Sequence, residues 1–182
     1  RSSPLEDLVF LTDDRAFDAP GCDAVSVFNS NDGTEVTRGQ YQVSPGRLAA
    51  TSNGGLVAAI SVNSGPFVYF LARTEVGSGR WKTFRVNLAQ SYDVAQPSIT
   101  ADDEWLVIPA RSGGLYAHRV DELLDAIKIG QLPSLSPPDA IYRGSTAATV
   151  VSDTKAPIVY LVGTAGYVYT LRVPDFTEAI PA

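Results

Sequence analysis

Apolar residues in this chain fall into short runs separated by clusters of Gly, Ser, Asp, Asn and Pro, which predicts short β-strands joined by tight turns. The runs recur. One set comprises Leu8-Val9-Phe10-Leu11, Leu56-Val57-Ala58-Ala59-Ile60, Trp105-Leu106-Val107-Ile108 and Ile158-Val159-Tyr160-Leu161, whose starts advance by 48, 49 and 53 residues. A second set follows each of these: Val25-Ser26-Val27-Phe28, Val68-Tyr69-Phe70-Leu71, Leu115-Tyr116-Ala117-His118 and Val168-Tyr169-Thr170-Leu171, with Tyr69, Tyr116 and Tyr169 in register. A third set precedes the first from its second copy onward: Arg47 to Thr51, Gln96 to Thr100 and Ala148 to Ser152. Each of its members runs into a short polar turn, Ser52-Asn53-Gly54-Gly55, Ala101-Asp102-Asp103-Glu104 or Ser152-Asp153-Thr154-Lys155, of the kind that joins antiparallel neighbours.

Outer strands of alternating polarity are expected at Gly39 to Val43, Lys82 to Leu88 and Asp139 to Arg143. Four strands recurring at a period near 50 residues are the signature of propeller blades. The expected fold is therefore all-β, a β-propeller or half-propeller of about 3.5 four-stranded antiparallel blades, read as one domain over 1–182 with blades near 5–43, 46–88, 96–144 and 147–174. Counted from the axis outward, the first blade lacks its innermost strand and the last its outermost. Open sheet ends expose unpaired backbone. The pattern thus predicts a protein partner or a second copy completing the ring, and two copies would supply enough strands for seven blades. A β-sandwich or a small four-bladed ring is the alternative reading of the same runs.

One stretch departs from the β pattern. Val120 to Ile129 places Leu123, Leu124 and Ile127 on one helical face, with acidic residues first, Lys128 near the end, and Gly130 to stop it. A helical insertion near 120–130 follows, with the Pro-rich segment 132–138 leading to the next strand. It reads as an ordinary insertion between strands, with a docking helix as the functional alternative.

Composition narrows the partners. A formal charge of −6 and a pI near 4.7 leave no basic stripe for nucleic acid, so none is expected as a ligand. No apolar run approaches the roughly 20 residues that span a bilayer, and no membrane insertion is expected. The chain starts at Arg1 and contains no Met, which suggests processing or excision from a longer precursor, and its compartment stays open. Cys22 is the sole cysteine, so no intramolecular disulfide can form.

Catalytic chemistry is thinly represented. His118 is the only histidine and takes the place of Phe28, Leu71 and Leu171 in the repeat, which predicts a packed structural residue rather than a general base. Asp102-Asp103-Glu104, and Asp13, Asp14, Asp18 and Asp23, lack the spacing of a calcium loop and are expected as solvated turn residues. Neither a metal nor a cofactor is expected, and no catalytic residue is assigned. A binding surface is expected instead at Trp81 and Arg80, an aromatic and arginine pair of the kind that anchors interfaces, together with Tyr92, Arg47 and Arg143.

Asp23 to Thr34 resembles the strand-and-turn segment of the YVTN or lactonase-like seven-bladed propellers, and Ser98 to Val107 resembles their turn-and-strand opening. Gly114 to Asp121 and Tyr167 to Val173 are similar to the strand that follows. The resemblance implies architecture more than activity, since that group includes lactone-opening and lactone-forming enzymes beside scaffold proteins. The expected function is a non-catalytic binding or scaffold domain presenting loops to a macromolecular partner. The alternative is half of a lactonase-like or other hydrolytic propeller, with Arg47, Gln96, Ser98, Arg143 and Ser145 as its available axial residues.

Overall fold

A computed structural model of the chain describes residues 8–13, 24–29, 32–40, 45–52, 55–61, 67–73, 81–87, 96–109, 114–135, 138–144, 147–163 and 166–178. Their strands form four successive antiparallel sheets. The first is β1 (Leu8–Asp13), β2 (Ala24–Asn29) and β3 (Glu35–Gln40), and the second is β4 (Pro45–Ala50), β5 (Leu56–Ser61), β6 (Phe67–Arg73) and β7 (Trp81–Asn87). The third is β8 (Ser98–Ile99), β9 (Trp105–Pro109), β10 (Leu115–Arg119) and β11 (Ala140–Tyr142), with helix α1 (Val120–Lys128) inserted before its last strand. The fourth is β12 (Ala147–Ser152), β13 (Ile158–Gly163) and β14 (Val168–Arg172). Each sheet runs in chain order from one edge to the other, as consecutive hairpins dictate.

Every expected strand has a counterpart, but the first outer strand lies earlier than the sequence pattern placed it, at Glu35–Gln40 rather than 39–43. A side-chain turn explains the shift. The Asp32 carboxylate accepts from the Thr34 N–H at 2.9 Å and from the Thr34 hydroxyl at 2.7 Å, closing the reversal at Gly33 and sending the chain straight into β3. The helix stops where expected: Gly130 adopts φ +77, and its N–H donates to the Ile127 carbonyl while the Gln131 N–H donates to the Ala126 carbonyl, the paired bonds of a glycine-terminated helix.

The core lies between the sheets. In β9 all five residues are buried: Leu106 and Ile108 pack toward the second sheet with Leu56, Val68, Phe70 and Val86, while Trp105 and Val107 pack toward the fourth with Val150, Val159, Leu161 and Leu171. A strand covered on both faces can be apolar throughout, which is why Trp-Leu-Val-Ile shows no alternation. β13 alternates half-buried and buried residues because one of its faces alone meets a neighbour.

Neighbouring sheets are also tied at their first strands. β4 touches β8, and β8 touches β12. Ser52 donates its N–H and hydroxyl to the two Asp103 oxygens at 2.7 and 2.6 Å, and Ser98 Oγ accepts the Ser152 N–H at 2.9 Å and meets the Ser152 hydroxyl at 2.6 Å. The turns themselves repeat. Thr51 and Thr100 each bond the backbone five residues ahead, and each hydroxyl accepts the N–H of the residue that opens the next strand, Leu56 or Trp105, at 3.1 Å.

At the far edge, residues 174–178 turn back along β14, with Arg172 N–H donating to the Thr177 carbonyl at 2.9 Å and Leu171 bridging Glu178. Phe176 is buried there against Tyr142, ring centroids 5.8 Å apart. The chain thus begins to occupy the fourth-strand position that the sequence pattern left vacant.

Two glycines separate conformation from space. Gly114 has φ +100, and a Cβ on it would strike the Tyr142 carbonyl of β11, whereas Gly130 has φ +77 with open space around it. Gly114→Ala is expected to cost about 3 kcal/mol or more and Gly130→Ala about 1 kcal/mol. Urea denaturation of the two variants beside the parent checks this, and equal losses would contradict it. In the same assay Ser98→Ala is expected to lose about 1 kcal/mol, because the Ser152 N–H loses its acceptor.

Candidate functional site

The connection between β10 and β11 spans residues 120–139, whereas the corresponding connection between β6 and β7 spans 74–80. The extra length builds α1 and a returning segment. Leu123 and Ile127 bury one helix face with Leu135, so the helix is anchored on the core of the second and third sheets. Asp139 ties the returning chain down: its N–H donates to the Ala117 carbonyl at 3.0 Å and its Oδ2 accepts the Arg119 N–H at 2.8 Å.

Helix and returning segment enclose a half-open cavity of about 380 Å³. Its lining is mixed, with Leu123, Ala126 and Leu132 supplying apolar surface and Arg119, Glu122 and Asp139 charge. Leu132 is 61% and Ile129 70% exposed at this end of the helix. Arg119 is held on two sides: Nε and Nη2 donate to the two Asp121 oxygens at 3.0 and 2.7 Å, and the guanidinium lies 5.3 Å over the Trp105 ring. The hydrogen bond to Asp121 raises its pKa and lowers that of Asp121.

His118 closes the inner wall of the cavity at 2% exposure. Burial pushes its pKa down to about 4, against a smaller upward pull from Asp139, so the ring is neutral at physiological pH. The packed structural histidine expected from the repeat is what the structure contains.

Of the other sequence candidates, Arg143, Gln96 and Ser98 do not line this cavity. Arg80 and Tyr92 lie outside the described residues, as do Ser145, Cys22, Asp14, Asp18 and Asp23. Trp81 opens β7 opposite Arg73, and Arg47 sits in β4 opposite Ile60, just after a bulge. Arg143 is exposed just past the end of β11, the edge strand farthest from β8. Gln96 is exposed and Ser98 is buried, its hydroxyl held by Ser152. The acidic triplet is dispersed by its own turn: Asp102 accepts from the Thr100 hydroxyl at 2.6 Å and the Glu104 N–H at 3.1 Å, while Asp103 faces Ser52. Among the described residues no three His, Cys, Asp or Glu side chains are grouped to hold a metal ion. No described helix is long and apolar enough to cross a membrane.

The cavity itself escaped sequence reading. Its one visible signal was the length of the connection after β10.

No protein-family model and no curated protein matches the sequence. Solved structures do. U3-55K superposes with a TM-score of 0.64 at 11% identity, over 97% of this chain and 48% of the other. The C-terminal WD40 domain of Sif2 gives 0.56 at 13% identity, over 86% and 39%, and TolB from Acinetobacter baumannii gives 0.57 at 13%, over 96% and 40%. The fold is that of a half-propeller. The four sheets are its blades, and the chain spans about half or less of each of these propeller chains.

The buried histidine makes a pH prediction. Its folded-state pKa lies below the unfolded value of 6.5, so its contribution is intact above pH 6.5 and is lost as pH falls from 6.5 toward 4. The loss should approach about 3 kcal/mol. Replacing it with the leucine found at the equivalent Leu71 and Leu171 should remove that component: His118→Leu is expected to hold its stability over this window better than the parent. Parallel pH-dependent unfolding curves for the two proteins would refute the assignment.

Proposed function

We propose that this chain is a non-catalytic propeller-type binding platform, a single domain over 1–182, which pairs with a second copy to complete its ring. One observation carries the reading. Val150, Val159, Leu161 and Leu171 of the fourth blade are buried against the third, but the opposite face of the same blade carries Val151, Ile158, Tyr160, Val162 and Val168, beside Thr149, Thr170 and Arg172, with no further blade packed on it among the described residues. Val151 is 52% and Val168 62% exposed. Apolar sheet faces of this kind are covered in propellers by the next blade. The partial coverage of larger propeller chains agrees with a requirement for further blades.

Partner contact is assigned to Trp81, Arg80, Tyr92, Arg47 and Arg143, on the chemistry of aromatic and arginine anchors. Within propellers we place the chain nearest the YVTN or lactonase-like group, on the likeness of residues 23–34 and 98–107. The hydrolytic alternative is less well supported. Its axial serine, Ser98, spends its hydroxyl on Ser152, and its arginine, Arg143, lies just past the outer edge strand.

Light scattering tests the ring. The chain is expected at about 39 kDa, twice its 19.4 kDa, and the Val151→Glu/Val168→Glu variant at the single-chain mass. A monodisperse monomer of the parent would overturn closure by a second copy. For the platform, proteins retained by the parent should be lost from an Arg80→Ala/Trp81→Ala/Tyr92→Ala variant of unchanged circular dichroism. Identical retained sets would remove those residues from the interface, and hydrolysis of a lactone panel by the parent would displace the non-catalytic reading.

A further inference from the structure

We propose that the cavity between α1 and its returning segment is a peptide-binding pocket that takes a lysine or arginine side chain flanked by apolar residues. The proposal rests on the binding-platform reading and names the partner chemistry that one of its surfaces selects.

Three features of the pocket point to that ligand. Its volume of about 380 Å³ exceeds what one water or ion requires, and it opens to solvent on a rim bearing Leu132. Its charge leans negative. Arg119 keeps its charge but is paired bidentately with Asp121 and held on Trp105, so the carboxylates of Glu122 and Asp139 outnumber the cation on the wall. Asp139 accepts a backbone N–H, whereas Glu122 is exposed and interacts with Arg119 through its charge.

The apolar surface is placed to complement the charge. Ala126 lies one helical turn from Glu122, with Leu123 beside it and Leu132 across from them. A basic side chain has an apolar stem and a charged head. Its stem would lie on Ala126 and Leu132 and its head would reach Glu122 and Asp139, while a neighbouring apolar residue of the peptide covers Leu132 or Ile129. An anionic or purely apolar ligand would desolvate two carboxylates with Arg119 as the lone cation on the wall, itself shared with Asp121, a costly arrangement. Nothing in the blade repeat requires this wall: the second blade makes the same connection in 74–80.

The test uses the 182-residue chain with acetyl-Leu-Lys-Leu-amide as probe, titrated by NMR. Saturable shifts are expected at the amides of Glu122, Ala126 and Leu132. Acetylating the lysine, which removes its charge, should weaken binding by about tenfold or more, and Glu122→Gln should do the same. Raising the salt to about 1 M should also weaken it, since a partly exposed pairing is screened. Absence of saturable shifts, equal affinity for the acetylated probe, or undiminished binding by Glu122→Gln would each overturn the pocket. Failure here with an intact dimer and with partner retention at Trp81 would leave the platform reading standing. Loss of both while the probe still binds would do the reverse.

Discussion

Every blade in this half-propeller depends on having its two faces covered by its neighbours. The third blade shows the constraint satisfied: Leu106 and Ile108 are packed on one side, Trp105 and Val107 on the other, and all of β9 is buried. Apolar burial contributes roughly 25 cal/mol per Å², so a strand sandwiched in this way stabilises two interfaces at once. Hydrogen bonds then set the spacing. The Ser52 to Asp103 and Ser98 to Ser152 contacts join turns and first strands of successive blades at separations of 51 and 54 residues, close to the repeat itself. Hydrophobic packing is tolerant of sliding, whereas a serine hydroxyl 2.6 Å from its partner is not.

Much of this architecture was legible in the sequence because the repeat samples each strand several times. Leu56, Trp105 and Ile158 open strands at equivalent positions, and agreement among them compensates for the ambiguity of any one short apolar run. Burial of His118 was legible for the same reason, since its counterparts are Phe28, Leu71 and Leu171. Outer strands were harder. β3 was displaced because Glu35 to Gln40 and Gly39 to Val43 both carry mixed polarity, and an Asp32 side-chain turn, not hydrophobic pattern, decided where the strand begins. The pairing of Leu171 with Glu178 had no repeat equivalent and gave no sequence signal.

The candidate site was far less legible than the fold, and the reason is geometrical. Glu122 and Asp139 are separated by a helix, a glycine-terminated turn and a proline-rich return, and no spacing rule brings them to one wall. They meet because Leu123, Ile127 and Leu135 anchor the insertion on the core and Asp139 pins its end to β10. Arg119 illustrates how readily such a wall is misjudged from composition. It counts as a cation in the sequence, yet in place it is paired with Asp121 and turned onto Trp105, so the pocket is more acidic than its residues suggest.

The same packing rule that orders the interior also divides the labour of the surface. Repeating positions are constrained twice, by the strand they form and by the adjoining blade, and little variation is compatible with both. The insertion after β10 largely escapes the second constraint, because Val120, Leu123, Leu124, Ile127 and Leu135 pack on the core while Asp121, Glu122, Asp125, Lys128, Ile129, Gly130, Gln131, Leu132 and Ser134 are exposed. Chemistry can therefore accumulate there without disturbing the stack. The uncovered face of the fourth blade is the opposite case. Val151 and Val168 are repeat-bound residues whose second constraint is present in the sequence but unmet by the chain's own blades. A valine covered by an adjoining blade gains more than a solvated one, and this asymmetry is the physical ground of the proposal that a second copy covers that face.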